Sequence, residues 1–160
     1  MMKYYVGLGS NLGARLENLQ AAKSGLKNLG KVVRQSPVYA SQPWGKRDQP
    51  VFLNAVLILE SPLRPFRLLR KLKHLEMELG RIRTERWGAR VIDLDLLQWE
   101  GAAVSSAILQ IPHPYLEARS FVLKPLYDVE PRFVLPSGKK IEQIGWEQID
   151  KEITLITETW

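Results

Sequence analysis

The stretch RWGARVIDLDLLQW, residues 86–99, runs from a basic loop into a strand-like apolar segment that carries two acidic side chains. Side chains alternate between the two faces of a strand, so Ile92 and Leu94 point one way while Asp93 and Asp95 point the other. Two carboxylates about 7 Å apart on one face repel each other, and burial strengthens the repulsion. One interpretation is that this face of the strand is exposed to solvent, where two neighbouring aspartates are tolerated. Asp is, however, a poor strand former, and a Mg²⁺ ion bound by both carboxylates would relieve the repulsion.

The positive charge of the chain is concentrated immediately before these two acids. The 160-residue sequence has a formal net charge of +6. Residues 63–90 hold seven Arg and two Lys against three Glu, so this segment carries the whole excess. Four arginines lie within ten residues: Arg81, Arg83, Arg86 and Arg90. One interpretation of this arginine cluster is an exposed basic loop that binds no specific ligand. Because Arg binds phosphate through two parallel hydrogen bonds, the acids and arginines together favour phosphoryl-type transfer.

Length and composition indicate one ordinary globular domain over residues 1–160. Hydrophobic residues make up 45% and charged residues 25% of the chain, the usual profile of a globular protein. The absence of cysteine excludes disulfides and thiolate metal sites. Apolar runs are shorter than the roughly 18 residues of a membrane span, and the N-terminus lacks the apolar stretch of a signal peptide. We therefore expect a cytoplasmic protein without a membrane partner.

The spacing of apolar residues predicts an α+β fold. It indicates strands over 3–9, 31–41, 51–61 and 91–99, and helices over 10–30 and 63–80. This order predicts a ferredoxin-like βαββαβ core, an antiparallel or mixed sheet covered by helices. The rest of the chain is predicted to form a C-terminal extension, with short helical turns over 113–129 and a weak helix over 142–153.

Two further features of the sequence can each be interpreted either structurally or functionally. The segment GLGSNLG, residues 7–13, departs from the G-x-G-x-x-G phosphate-binding pattern at its last glycine, so we interpret it as a turn between strand and helix. Asn54 interrupts an apolar strand. It is either a core amide with internal partners or a group that binds the polar edge of a ligand, with the ring of Phe52 on the same face available for stacking.

Four stretches of the chain together resemble the 6-hydroxymethyl-7,8-dihydropterin pyrophosphokinase family of folate biosynthesis. They are GLGSNLG, QPWGKRDQPVFLNAV, ELGRIRTERWGARVIDLDLL and IPHPYLEARSFVLKPL, and they occur in the family order across residues 5–128. The resemblance implies a single pyrophosphokinase domain. It also implies transfer of the β,γ-diphosphate of ATP to the hydroxymethyl group of the pterin, with AMP as the second product.

The same resemblance implies roles for individual residues. The catalytic set would be Arg81, Arg90, Asp93 and Asp95, and two Mg²⁺ ions would be held by Asp93 and Asp95. The pterin would be bound by Ser41, Pro43, Phe52, Asn54 and Phe121. ATP would be bound by Glu76, Arg81, Arg83, Trp87, Arg90, His113 and Arg119. Ala89 stands where relatives often have proline, and Trp44 is expected only to pack.

The residues by themselves leave two other functions open. A basic ferredoxin-like sheet with aromatic side chains is a known solution for nucleic-acid binding, and paired aspartates can serve a metal-dependent nuclease. Two carboxylates among the basic residues would repel a phosphate backbone, which counts against the first alternative. With ATP and the pterin as small-molecule substrates, we expect a monomer that does not bind nucleic acid.

Overall fold

The computed structural model describes residues 1–82 and 85–160. In this part of the chain the strands are β1 (Met2–Ser10), β2 (Lys31–Gln35), β3 (Val38–Ser41), β4 (Phe52–Ser61), β5 (Asp93–Trp99), β6 (Val104–Ser105), β7 (Gln110–Ile111) and β8 (Ile153–Thr157). The α-helices are α1 (Arg15–Leu26), α2 (Pro65–Glu78), α3 (Ser120–Val129) and α4 (Trp146–Glu152). No helix in the described residues is long and apolar enough to cross a membrane.

The centre of the protein is a six-stranded antiparallel sheet. Its order is β5-β1-β4-β3-β8, and β2 pairs with β4 beside β3. β2 and β3 together correspond to the second of the four predicted strands. Numbered as predicted along the chain, the four core strands therefore lie side by side in the order fourth, first, third, second. This arrangement confirms the predicted α+β, ferredoxin-like fold.

Each face of the sheet packs against its own pair of helices. Leu57 and Leu59 of β4 belong to the cluster that receives α1 and α2, while Val56 and Ile58 belong to the cluster that receives α3 and α4. The near-continuous apolar sequence of β4 follows from this arrangement, because a central strand between two layers is buried on both faces.

The strand register aligns the two aspartates with the glycines of β1. Gly9 pairs with Asn54 on one side and with Asp93 on the other, and Gly7 pairs with Asp95. Cross-strand partners share one face of a sheet. Asp93 and Asn54 therefore lie in one row with only a glycine between them, on the face covered by α3.

The structure corrects several predicted boundaries. The predicted strand 31–41 is interrupted at residues 36–37, because the amide of Val56 donates to the hydroxyl of Ser36 at 2.9 Å and Pro37 has no N–H. The predicted turn at residues 7–13 is wrong in part, since β1 continues through Ser10. The predicted proline-broken turns include a ten-residue helix, α3, which contains Pro125. The edge strand β8 was not predicted.

Truncation of the central strand should destabilise the whole domain. Leu57 of β4 is fully buried, so Leu57→Ala is expected to lower the free energy of unfolding by about 2–5 kcal/mol through lost burial and a residual cavity. The same truncation at Leu155 of β8, which is 50% exposed, is the matched control and should cost less than about 1 kcal/mol. Urea unfolding followed by circular dichroism measures both, and equal losses would contradict the assigned core.

Candidate active site

A cavity of about 880 Å³ opens on the face of the sheet beside α3. Gly7 and Gly9 form part of its floor. A Cβ atom on Gly9 would meet Oδ1 of Asn54 at 3.4 Å and the ring of Phe52 at 3.6 Å. The bare backbone of β1 therefore leaves room for a flat ligand beside the Asn54 amide and the Phe52 ring.

The orientation of the Asn54 amide is held by a neighbouring strand. Its Nδ2 donates a 2.8 Å hydrogen bond to Oγ of Ser41 on β3, and both residues are buried. This bond leaves the amide oxygen and a second N–H for a ligand. Of the predicted pterin residues, Phe52, Asn54 and Phe121 line the cavity. Ser41 contacts Asn54 without lining the cavity, and Pro43 is a buried loop residue outside the lining.

Asp93 and Asp95 project from β5 into the same cavity. Their side chains are 22% and 29% exposed. Asp93 Oδ1 accepts a 2.8 Å hydrogen bond from Nη1 of Arg81, and its Oδ2 lies 3.5 Å from Nη1 of Arg90. Asp95 Oδ2 lies 3.9 Å from Nη1 of Arg119. The predicted acids and three predicted arginines are thus brought together around one opening.

The pKa values of the two aspartates shift in opposite directions in this environment. Burial raises the pKa of Asp93, but the charges of Arg90, Lys73 and Arg81 outweigh it and hold the pKa below its ordinary value. Burial, followed by the charge of Asp93, raises the pKa of Asp95 to about 7. Near neutral pH the site therefore holds one firmly ionised carboxylate and one that gives up its proton readily to a competing cation.

Glu76 of α2 connects these groups to the helix layer. It is 2% exposed, and its Oε1 accepts hydrogen bonds from the amide of Leu94 at 2.7 Å and from Nζ of Lys73 at 3.0 Å. Its Oε2 accepts a 2.7 Å bond from Nη1 of Arg81, the guanidinium that also binds Asp93. A buried carboxylate requires such partners, and these partners fix α2 against the edge of β5.

Two arginines in the cavity retain unused donors. Among the described residues, Nε of Arg90 and Nε of Arg119 are buried and make no hydrogen bond. Arg119 is only 7% exposed, and its guanidinium lies 4.6 Å from the ring centre of Trp44 and 5.5 Å from that of Phe121. A buried guanidinium Nε–H without an acceptor favours an anionic ligand at this position, even though another nitrogen of each group lies near an aspartate.

Aromatic side chains from two loops and the segment before α3 close one side of the cavity. The rings of Trp44 and Trp87 lie 5.1 Å apart, and Tyr115 contacts both at 5.0 and 5.9 Å. Trp87 has a φ of 63°, which is unusual for a bulky residue. Gly45 has a φ of 87°, which favours glycine, and a Cβ there would approach the Trp87 ring to 3.1 Å, so a larger residue would require the ring to shift.

Asn11 ties the same two loops to β1. Its Nδ2 donates to Oε1 of Gln49 and to the carbonyl of Pro50, while its Oδ1 accepts from the amide of Arg90 at 2.8 Å. Gln49 in turn donates to the carbonyl of Trp87 at 2.6 Å. The end of the GLGSNLG segment thus positions both cavity loops, a role that the sequence analysis did not assign.

His113 presents a neutral ring to the cavity. Burial, together with the charge of Arg119, lowers its pKa to about 4. The amide of Tyr115 donates to His113 Nδ1 at 3.1 Å, so the ring proton is assigned to Nε2, which is then a donor. His113 is therefore suited to binding a phosphate oxygen rather than accepting a proton.

The cavity lining includes polar and aromatic residues to which the sequence analysis gave no ligand-binding role. Lys73, Trp44 and Tyr115 all line the cavity, although Trp44 had been assigned only a packing role and the other two no role. The spacing of Lys73 three residues before Glu76 is the available signal, since i and i+3 share a helix face. Arg83 was predicted to bind ATP and lies outside the described residues.

The donor set around the two aspartates fits Mg²⁺ bound together with a phosphorylated ligand. In the described part of the chain, no three acidic, histidine or cysteine side chains cluster closely enough to hold a metal ion by themselves. Mg²⁺ is commonly held by one or two carboxylates, with water and substrate phosphates completing its shell. Asp93 and Asp95 supply such carboxylates, beside arginines suited to those phosphates.

Comparison with known sequences connects this cavity to one family. The model of the family 7,8-dihydro-6-hydroxymethylpterin-pyrophosphokinase (HPPK) matches residues 5–131. The chain is 40% identical over 146 residues to the 2-amino-4-hydroxy-6-hydroxymethyldihydropteridine pyrophosphokinase of Pseudomonas aeruginosa, covering 90% of each protein. It is 42% identical over 137 residues to the protein of the same name from Methylorubrum extorquens, covering 84% of this chain and 87% of that one.

Solved structures share the fold at low sequence identity. A crystal structure of HPPK-DHPS in complex with substrates superposes with a TM-score of 0.78 and 12% identity over 96% of this chain. The present chain spans 46% of the length of that one. At this identity the similarity establishes the fold alone.

The raised pKa of Asp95 makes the stability of the free protein depend on pH. The folded state binds more protons at Asp95 than the unfolded chain between about pH 4 and pH 7, so this group lowers stability as the pH rises through that window. Asp95→Asn should therefore stabilise the metal-free protein at pH 8 by roughly 1–2 kcal/mol, or about 3–6 °C in Tm, and by less at pH 5.

Thermal unfolding in EDTA at the two pH values measures this difference. Asp48→Asn, a change of the same kind in an exposed loop, is the control and should have little effect at either pH. A pH-independent effect of Asp95→Asn would contradict the assigned environment of Asp95.

Proposed function

The chain belongs to the 7,8-dihydro-6-hydroxymethylpterin-pyrophosphokinase family, and we infer that it transfers pyrophosphate from ATP to 6-hydroxymethyl-7,8-dihydropterin in folate biosynthesis. The hydroxymethyl oxygen forms a bond to the β-phosphorus of ATP. The bond from that phosphorus to the α–β bridging oxygen breaks, and AMP leaves. The alcohol proton passes to solvent. The protein is thus a transferase of the kinase type with ATP as co-substrate.

The row formed by Asp93, Gly9 and Asn54 is the observation that carries this inference. Adjacent strands lie about 4.8 Å apart, so the carboxylate and the amide project from the sheet about 10 Å from each other. This spacing suits a ligand whose flat ring meets Asn54 while its reactive substituent points toward the acids. A pterin with a hydroxymethyl group has this shape.

We propose that Asp93 and Asp95 hold two Mg²⁺ ions together with the phosphates of ATP. Once bound, these ions neutralise phosphate charge and lower the pKa of the attacking alcohol. The position of both carboxylates in the lining of one cavity supports the assignment, because a divalent cation between them would relieve their mutual repulsion.

The remaining residues of the cavity have complementary roles in this proposal. Asn54 binds the polar edge of the pterin, and the rings of Phe52 and Phe121 stack against its faces. Arg81 and Arg90 neutralise the oxygens of the transferring phosphates as the bond breaks. Trp87 closes the cavity from its loop and excludes water, which would otherwise compete with the alcohol.

Further residues near Asp93 and Asp95 are proposed to bind ATP. Arg119 and His113 donate to phosphate oxygens, and Glu76 keeps the Arg81 guanidinium aligned with Asp93. Arg83 lies outside the described residues and is two positions from Arg81 in the sequence, and it is proposed to bind ATP as well. A single domain over residues 1–160, a monomeric state and a cytoplasmic location stay predictions.

Two measurements distinguish this function from the alternatives that the sequence left open. Release of AMP from ATP should depend on the hydroxymethyl pterin. Isothermal titration should show magnesium-dependent binding of a non-hydrolysable ATP analogue. A nucleic-acid module would instead bind oligonucleotides without magnesium and lose affinity steeply with salt. A nuclease would cleave them.

Removal of the Asp95 carboxylate should abolish turnover without unfolding the protein. Asp95→Ala is expected to lower kcat by at least about 10³-fold, because the proposed metal site loses one of its two carboxylates. AMP release measures the rate, and circular dichroism checks the fold. Near-normal turnover in this variant would rule out the metal assignment.

Arg90 should matter more to the rate than to binding. Arg90→Ala is expected to reduce kcat by about 10²-fold while weakening affinity for the ATP analogue by less than about 10-fold, since its proposed contact strengthens as charge develops. Arg67→Ala, an exposed arginine of α2 away from the cavity, should leave both values unchanged. Equal losses in rate and affinity for Arg90→Ala would contradict a transition-state role.

A further inference from the structure

The edge strand β8 extends the part of the sheet that carries the Asn54 amide. Ile153 of β8 pairs with Ser41 of β3, and Ser41 pairs with Phe52 of β4. Cross-strand partners share one face of a sheet, so Ile153 lies on the same face as the Phe52 ring, two strands away. Ser41, between them, accepts the hydrogen bond that orients Asn54.

The short strand β3 depends on β8 for its position. It has four residues, and it pairs with β4 over residues 39–41 and with β8 over residues 38–41. Without β8 it would be an edge strand with a single partner, and elements with few contacts open locally at low free energy. The orientation of the Asn54 amide therefore depends on β8 as well as on β4.

The residue before β8 contacts the other wall of the cavity, at the start of α3. Glu152 is the last residue of α4, and its Oε2 accepts a hydrogen bond from Oγ of Ser120, the first residue of α3. The next residue of α3 is Phe121, whose ring lines the cavity. Ile153 and Phe121 also pack against the same apolar cluster. Two consecutive residues, Glu152 and Ile153, thus contact both the sheet wall and the helix wall.

A second hydrogen bond joins the same two walls. Tyr39 of β3 pairs with Asn54 on one side and with Leu155 of β8 on the other. Its hydroxyl donates to Oδ2 of Asp128 on α3. The sheet and α3 are therefore linked at two places, and in both the contact is made by β8, by its preceding residue or by the strand paired with it.

Resting on the proposed function, we propose that residues 152–157 are a positioning segment for the pterin. Glu152 holds the start of α3 and thereby the Phe121 ring, while β8 holds Ser41 and thereby the Asn54 amide. The segment thus sets the separation between the amide that binds the pterin edge and a ring that stacks on its face. None of these six residues, all described by the structure, lines the cavity, so they act through the two walls and not by contact with a ligand.

Loss of the Glu152 carboxylate should weaken pterin binding selectively. Glu152→Ala is expected to weaken binding of 6-hydroxymethyl-7,8-dihydropterin by about threefold to fivefold, because the bond to Ser120 is lost. Affinity for the non-hydrolysable ATP analogue should change by less than about twofold, since Arg119 keeps its contacts with Asp95 and Trp44. Glu152→Gln keeps an acceptor oxygen for the Ser120 hydroxyl and should retain most of the pterin affinity.

Isothermal titration of both ligands against the wild-type protein and the variants provides the test, with Tm measured alongside. Glu147→Ala, the same change at a side chain of α4 that is 90% exposed, is the matched control and should leave both affinities unchanged. Ser120→Ala should reproduce the loss, and the double variant Ser120→Ala/Glu152→Ala should lose no more than either single variant.

Unchanged pterin affinity in Glu152→Ala would overturn the positioning role. Equal losses for the pterin and the ATP analogue would overturn it too, because they indicate a general structural effect, and so would additive losses in the double variant. Pterin-dependent AMP release by the wild-type protein tests the proposed function separately, so the two failures are distinguishable.

Discussion

The buried carboxylate of Glu76 is the contact on which the rest of the cavity depends. It accepts hydrogen bonds from the amide of Leu94, from Lys73 and from Arg81. These bonds join α2 to the edge of β5, where an exposed strand would otherwise offer unpaired backbone groups. A buried charge is tolerated only when its partners are complete, so this one contact sets the position of the strand that carries Asp93.

Around Glu76, the acidic side chains of the cavity lie close to arginines. Arg81 is shared by Glu76 and Asp93, while Arg119 lies beside Asp95 under a cover of aromatic rings. A polyanion that arrives with divalent cations can exchange partners with these groups without a net change in charge. In the proposed function, such an exchange would let a site that contains buried acids bind ATP together with Mg²⁺, although the same acids alone would repel it.

Local patterns in the chain predicted the core strands and the first two helices, because apolar periodicity depends only on neighbouring residues. The break at Ser36, the helix around Pro125 and the edge strand β8 depend on partners distant in sequence and were missed. Lys73 was missed for the same reason, since its neighbours on β5 lie about twenty residues away. Trp44 contacts Trp87 across two loops that are distant in sequence, so no local pattern predicts this contact.

The sequence by itself determined the α+β class, the family, and the chemical types of the site: paired carboxylates, a run of arginines and an amide within an apolar strand. Tertiary structure alone decided how these groups face one another. The pairing of β1 with β4 and β5 places Gly9 between Asn54 and Asp93, residues 39 positions apart in the chain. Register is a property of backbone hydrogen bonds between strands, and no pattern within one strand specifies it completely.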